Sequence, residues 1–520
     1  MIRHPNELTA WLAGKKHWLV VLLMGLLALS LSYKVGFPRI AGSDSVYYAV
    51  VARNIVERGS LNTTVYLPQD IADVGYPLRD VHLVGYPLVL AIPVALFGAS
   101  DAVMLLPSQI AFLLSGLLIF WVAKRIYSLP IAYASVIAFY VYPLFFYYSN
   151  TVMAESTLVF VAVLYFALWI DSLQKPKAFH PLVLGGLLAL GALIRPTFLL
   201  LAPTALYSLY LWPKQTRRRA ALQFSLIFVL FLLAVVYPLS LHRAQGTYKL
   251  NTMLAAGGPI AVIKSLLENF FLQVGRHFAV PKDVPDDYIR LLQMILVLIC
   301  VWSYRRFSGL QKAVIGYLLV TAITNWLFLS IFYTPSGSRG LRSLMMTLPP
   351  ALIIINALLW RIRSWWLRYT SLIIQFSLFC ILIWLGRPEF HDARVEFYAE
   401  EHTQAQIFAE ELAPYQPSVV MAYKPWLYAL ESFPVNVIWQ LPESAEMMQT
   451  VQSEVTIDAI VVDSPQGRDN ILAGTRHGII SGNFHLVNDE AIGDDYYFFV
   501  REDLYNSTTS TGTDDGAITK

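Results

Sequence analysis

The sequence predicts an α-helical polytopic membrane protein that carries a small α/β domain at its C-terminal end. The composition is 56% apolar and only 14% charged, far from the roughly 25% charged residues of soluble domains. Apolar runs that approach the roughly 20 residues needed to cross a bilayer recur along the first three quarters of the chain. After Gly386 the pattern changes to acidic residues interleaved with short apolar stretches.

The first run, residues 18–33, follows Arg3, Lys15 and Lys16, so the positive-inside rule predicts a cytoplasmic N-terminus. Ala28 and Ser30 would suit a signal-peptidase site, but the many later spans argue for an uncleaved anchor. Residues 44–58 read as an amphipathic helix lying in the membrane interface, with Tyr47, Val50, Val51 and Ile55 spaced three and four apart. Ser43 or Asp44 is placed to cap it and Gly59 to end it. It belongs to a polar external loop, residues 34–83, too long for a hairpin connection.

Residues 84–98 are a short apolar stretch interrupted by Pro87 and Pro93 and are expected to be re-entrant or interfacial. Further spans are predicted at 104–123, 131–148, 156–173, 181–195, 197–212, 220–240, 290–304, 312–333, 343–360 and 369–386. Taking the basic loops at Lys124/Arg125, Lys175/Lys177, 217–219, Arg305/Arg306 and 361–368 as cytoplasmic makes every alternate loop external. The count is about 11 to 13 crossings, according to whether residues 84–98 cross. The domain division expected is thus a multi-spanning module over 1–386, an external soluble domain over 387–502, and a disordered tail over 503–520.

Within 387–502, helices are expected at 393–412, 426–431 and 443–452, alternating with strands at 418–421, 435–439 and 457–462. That interleaving suggests an α/β layer. The Ser/Thr/Gly/Asp-rich end has little apolar surface to bury.

Several function classes are excluded. A net charge of +3, with basic residues confined to short clusters, argues against nucleic acid as a partner. Cys300 and Cys380 both lie in apolar runs, which excludes a disulfide framework or a CxxC site. There is no P-loop, dinucleotide fingerprint, zinc-spaced His pair or nucleophile elbow.

The unusual polar residues fall instead in the loops predicted to face outward. Gly42-Ser43-Asp44-Ser45-Val46-Tyr47-Tyr48 sets a carboxylate just beyond the first span. His82-Leu83-Val84-Gly85-Tyr86-Pro87-Leu88 closes the same loop. Tyr142-Pro143 runs through Ser149 to Met153-Ala154-Glu155, and Leu193-Ile194-Arg195-Pro196-Thr197 forms a basic-plus-Pro junction. Arg342 is followed seven residues later by Pro349 at the top of a late span, with Arg339 just before it.

In their order and common side these motifs resemble the membrane glycosyltransferases of the GT-C fold, which use polyprenyl-phosphate sugars. The likeness is to the protein O-mannosyltransferase and lipid A aminoarabinose transferase group and to lipopolysaccharide-core galacturonosyltransferase-like members, and it covers residues 18–386. The family carries an acidic pair followed by Tyr at the start of its first external helix. Asp44 with Tyr47 and Tyr48 matches that place, while Ser45 stands where the second acid would be. Ser343 likewise stands where the family has Tyr after the late Arg.

The resemblance implies an inverting transfer from a lipid-linked sugar on the external, periplasmic face of a bacterial-type inner membrane. Asp44 would be the catalytic base. Arg342, Arg339, Arg195 and Arg276 would bind the donor phosphate through planar, fork-shaped donors, with His277 and Lys282 as further cations in the loop 241–289. Glu155, Tyr47, Tyr48 and His82 would meet the acceptor or the sugar. Each has a structural alternative: Asp44 as a helix cap, Glu155 as a cap of its span, and Arg195 as a snorkelling helix end.

No cofactor is implied, and the metal requirement stays open between Asp44 and Glu155 sharing a divalent cation and acting without one. The partners expected are a polyprenyl-phosphate-linked sugar donor, a lipid, glycan or protein acceptor, and membrane lipids. The main rival is a transporter or flippase, for which ionisable groups near mid-membrane and matching broken helices are the usual signs. Here the acids cluster at span ends. A non-catalytic glycan-binding or assembly protein is the third reading.

Overall fold

The computed structural model describes residues 5–34, 42–63, 65–66, 84–177, 179–212, 301–305, 309–332, 345–361, 410–422, 436–439, 445–462, 484–488 and 496–511, with a few isolated positions between them. The chain forms two compact units: residues 1–39 with 105–390, and residues 40–104 with 391–520. The first is a helical bundle and the second is built on a mixed sheet.

The bundle unit holds α1 (Pro5–Lys34), most of α4 (Asp101–Ile126), α5 (Leu129–Val141), α6 (Pro143–Tyr148), α7 (Ala154–Gln174), α8 (His180–Ile194), a 3-10 segment (Pro196–Leu201), α9 (Ala202–Leu211), α10 (Gly309–Phe332) and α11 (Leu348–Arg361). Among the described residues, Lys16–Tyr33, Ala102–Ile126 and Ala154–Gln174 are long and apolar enough to cross a membrane, and several shorter apolar helices accompany them. The expected spans 220–240, 290–304 and 369–386 fall almost wholly outside the described residues.

Two expected spans are interrupted. The run 131–148 is two helices, because Pro143 has no N–H to donate and Tyr142 before it takes an extended backbone with ψ 121°. The run 197–212 begins as the 3-10 segment after Pro196 and becomes α-helical only at Ala202.

Small residues let the helices approach closely. The Tyr140 ring lies directly over the Cα atoms of Gly25 on α1 and Gly116 on α4, where any added Cβ would overlap its hydroxyl. Phe166 and Trp169 of α7 hold Tyr317 of α10 at ring separations of 4.7 and 4.9 Å.

The bundle has two polar ends of different character. At one, Arg125 binds Asp171 at 2.8 Å, Gln311 donates to the Ile126 carbonyl and Arg361 donates to Gln311. This end gathers Lys124/Arg125, Lys175/Lys177 and Arg361, basic clusters that the sequence assigns to one membrane side. At the other end, neutral groups dominate: Ser32 of α1 donates to the Phe146 carbonyl, Asn150 donates to Ser32 at 2.7 Å, and Gln109 donates to Asn150 at 2.8 Å.

The sheet unit contains α2 (Gly42–Arg58), β1 (Val65–Tyr66), α3 (Gly85–Phe97), β2 (Val419–Ala422), β3 (Asn436–Trp439), α12 (Ala445–Glu454), β4 (Ala459–Val462), β5 (Phe484–Leu486), β6 (Tyr497–Arg501) and α13 (Glu502–Thr511). The strand order is β1-β3-β2-β4-β6-β5, with the first four parallel and β6 antiparallel to both its neighbours. The expected strands at 418–421, 435–439 and 457–462 and the helix at 443–452 correspond to β2, β3, β4 and α12. The expected helix at 426–431 lies outside the described residues.

One strand comes from far away in sequence. Val65 and Tyr66, in the loop between α2 and α3, pair with Val437 and Ile438 of β3, and Tyr66 and Ile71 are part of the core beneath the sheet. This loop and the C-terminal segment therefore share one hydrophobic core. Asp458 ties the strands together on the other side. Its Oδ2 accepts from the backbone N–H groups of Ser418 and Val419, and its Oδ1 accepts from Arg501 Nη1 at 2.8 Å.

Two expectations need correction. The tail expected to be disordered from 503 is helical as α13 through Thr511, because Leu504 packs onto the core beside β6 while Tyr505 stacks on His485 at 3.7 Å. The expected two-faced interfacial helix is buried around its whole circumference from Ser45 to Asn54, and exposure is confined to Asp44 at its start and to its last turn. Residues 84–98 do form a helix, α3, ended by Gly98 at φ +86°. At 13 residues it is about 20 Å long. Leu88, Ile92, Leu96 and Phe97 along it are exposed.

Candidate functional site

α2 carries the first candidate. The helix starts at Gly42, so Asp44 sits inside its first turn rather than as its cap. A carboxylate there is favoured by the helix dipole. Asp44 is partly exposed, whereas its neighbour Ser45 is fully buried. Tyr47 and Tyr48 are buried, and the Tyr48 ring meets Tyr86 of α3 edge-on at 5.0 Å. Their rings help to seat the helix.

The C-terminal end of α2 is locked to the strand that follows. Gly59 adopts φ +62°, Ser60 N–H donates to the Asn54 carbonyl, and the Asn54 side chain donates to the Asn62 carbonyl at 2.8 Å. Gly59 N–H itself donates to the Ile55 carbonyl at 3.2 Å, the single return bond of an αL closure. From there Thr63 accepts from the Tyr66 hydroxyl at 2.7 Å, and the chain enters β1. The helix that bears Asp44 is thus joined by hydrogen bonds to the C-terminal sheet.

The second candidate lies in the bundle. Glu155, in the first turn of α7, is 1% exposed. Arg195 at the end of α8 donates to it through Nη1, in an ion pair that bridges two helix termini. The turn leading into α7 is held by neutral hydrogen bonds: Ser108 donates to the Thr151 carbonyl at 2.9 Å and Ser156 to the Tyr148 carbonyl at 2.8 Å. The structure therefore brings Glu155 and Arg195 together, which their separation of 40 positions in sequence does not reveal.

The remaining expected site residues, Arg342, Arg339, Arg276 and His82, with His277 and Lys282, lie outside the described residues. Among the described residues no three of His, Cys, Asp and Glu gather as a metal site.

The sequence reading passed over Arg53. It sits in α2, it is 8% exposed, and burial lowers its pKa. The signal was available as a cation inside an otherwise apolar helical run, but a two-faced helix would have turned it to water.

Residues 82–242 match the sequence family described as dolichyl-phosphate-mannose-protein mannosyltransferase. No individual curated protein is significantly similar to the chain in sequence. The architecture is similar to that of ArnT from Cupriavidus metallidurans bound to undecaprenyl phosphate, with a TM-score of 0.56 and 14% identity over 93% of this chain and 98% of that one. It is also similar to the Archaeoglobus fulgidus oligosaccharyltransferase, with a TM-score of 0.54 and 13% identity over 96% of this chain and 78% of that one. The oligosaccharyltransferase AglB from Archaeoglobus fulgidus, in complex with an inhibitory peptide and a dolichol-phosphate, gives a TM-score of 0.50 at 13% identity, over 86% of this chain and 70% of that one. At such identities the likeness is one of fold, and the fold is that of the GT-C membrane glycosyltransferases.

Proposed function

We propose that the chain is an inverting glycosyltransferase that moves a sugar from a polyprenyl-phosphate carrier to an acceptor hydroxyl on the external face of the membrane. The observation that carries this reading is the near full-length fold match to a protein bound to undecaprenyl phosphate. A partly exposed carboxylate, Asp44, held just beyond the first span supports it.

In this reading Asp44 takes the proton from the acceptor hydroxyl as its oxygen attacks the anomeric carbon. The carbon–oxygen bond to the phosphate breaks, and polyprenyl phosphate leaves from the opposite face. Arg342 and Arg339, with Arg276, neutralise the charge that develops on the departing phosphate. Arg195 adds a further cation, aimed by the buried Glu155. His82 is assigned to the acceptor. The N-terminus is cytoplasmic, and the sheet unit is external.

The test is transfer by the purified full-length chain from undecaprenyl-phosphate-linked sugars, supplied as a panel, to envelope glycolipids. Release of undecaprenyl phosphate with a glycosylated product is expected. Absence of any product, together with passage of the lipid-linked sugar across a reconstituted bilayer, would favour a flippase. A cysteine at Ser464 should react from outside with an impermeant reagent, and labelling only after lysis would overturn the topology.

A further inference from the structure

The turn that joins α7 to α8 is closed by a histidine. His180, the first residue of α8, is 1% exposed. Its Nδ1 accepts from the backbone N–H of Lys177 at 3.1 Å, and its own backbone N–H donates to the Lys177 carbonyl at 3.2 Å. An Nδ1 that accepts carries no proton, so the proton of the neutral ring sits on Nε2. Nε2 lies 3.3 Å from Asp171 Oδ2 in the last turn of α7, and Arg125 of α4 holds Asp171 Oδ1 at 2.8 Å.

This closure is sensitive to one proton. An imidazolium has two donors and no acceptor, so protonation sets an Nδ1–H against the Lys177 N–H. Two donors cannot share a bond, and the turn must open for the ring to be charged. Among the described residues the charges acting on the ring are Asp171, which favours the imidazolium, and Lys177, which opposes it, while Arg125 already answers Asp171 from α4. Burial outweighs both and holds the pKa of His180 below its ordinary value. Once the ring reaches water it regains that value, so acid favours the open turn over the closed one.

The position of the ring gives the proton a longer reach. α7 packs on α8, and the opposite ends of the same two helices are closed by Glu155 and Arg195. The hairpin is therefore tied by polar contacts at both ends, and only the end at His180 is held by a group that changes charge between pH 5 and 8.

We propose that His180 is a proton-operated latch on the α7–α8 hairpin, closed by the neutral ring and released when Nδ1 takes a proton. The closed state is favoured above about pH 6.5, the ordinary value for a histidine, and loses its advantage as the pH falls below it. Release loosens one end of the helix that mounts Arg195. That last consequence rests on the function proposed above, whereas the latch does not.

Hydrogen exchange of the purified full-length chain in neutral detergent tests the latch. Peptides covering residues 175–181 and 158–166 are read by mass spectrometry, with rates corrected for the intrinsic effect of pH. In the natural protein the Lys177 amide should lose about tenfold of its protection between pH 7.5 and 5.5, because opening gains about tenfold per pH unit below an open-state pKa near 6.5. Residues 158–166, in the middle of α7, should stay protected. In His180→Asn, whose side-chain oxygen can accept from Lys177 and binds no proton in this range, protection should not change with pH. Constant protection of Lys177 in the natural protein overturns the proposal, as does an unaltered pH dependence in His180→Asn. A parallel loss at 158–166 marks general acid unfolding and overturns it too. No donor lipid enters the measurement, so failure of the latch and failure of the transfer reaction are seen separately.

Discussion

Arg195, at the C-terminal end of α8, donates to Glu155, in the first turn of α7, so that two helix termini distant in sequence are closed by one ion pair. Glu155 is almost wholly enclosed while Arg195 keeps part of its surface open. The ion pair thus sets an enclosed carboxylate against a guanidinium that is only partly enclosed.

Arg195→Met should therefore be costly, since it takes the paired cation away from a buried carboxylate. A loss of about 3 to 5 kcal/mol is expected. The double variant Glu155→Leu/Arg195→Met should recover much of that stability. Melting of the four proteins of the cycle tests this, and simple additivity would show that the pair is not coupled.

Asp44→Asn separates a base from a helix-stabilising charge. Loss of the dipole interaction in the first turn should cost only about 0.3 to 1 kcal/mol of stability. Loss of a general base should slow transfer by about a hundredfold or more. Near-normal turnover by folded Asp44→Asn protein would remove Asp44 from the chemistry.

Arg342→Ala should lower transfer or donor affinity on the order of tenfold or more, the equivalent of roughly 1.5 to 3 kcal/mol for a charge-assisted hydrogen bond. Arg342→Lys should restore only part of it, because an ammonium lacks the planar fork. The assay is transfer from a purified lipid-linked sugar, and full activity in Arg342→Ala would exclude the residue.

The C-terminal segment should not be self-sufficient. Residues 391–520 expressed alone lack β1 and the core side chains Tyr66 and Ile71. Burying two such side chains is worth about 1.5 to 3 kcal/mol each. Circular dichroism should show a poorly folded or easily melted segment, improved when residues 60–72 are joined to it. In the full chain, Tyr66→Ala should destabilise this unit by about 3 kcal/mol or more.

A pH effect is expected at the start of α13. The hydrogen bonds from Arg501 hold the Asp503 carboxyl below its ordinary range. A lowered folded-state pKa stabilises above the unfolded value and is lost as pH falls through the folded one. Because Asp503 is exposed, the effect on stability is small. Carboxyl titration by NMR should show Asp503 moving up toward the ordinary range in Arg501→Gln.

Much of the architecture can be read from local pattern. The apolar runs around 154–174 and 309–332 specify helices because a backbone in a bilayer must satisfy its own hydrogen bonds. Val419–Ala422, Asn436–Trp439 and Ala459–Val462 read as strands because short β-branched runs suit a buried parallel sheet. Asp44 stood out because a carboxylate directly after a membrane span is chemically unusual.

What only the tertiary structure decided are the relations between segments far apart in sequence. Nothing local in Val65–Tyr66 announces that this two-residue strand completes a sheet made more than 350 residues later, since its partner supplies the hydrogen bonds and the shared core supplies the burial. The same holds for Glu155 and Arg195, each readable alone as a helix end, whose pairing is an electrostatic consequence of how α7 and α8 pack. Arg53 carries the lesson furthest: its charge is written in the sequence, but its burial, with Glu57 3.8 Å away, depends on which side chains surround it once the helix is enclosed.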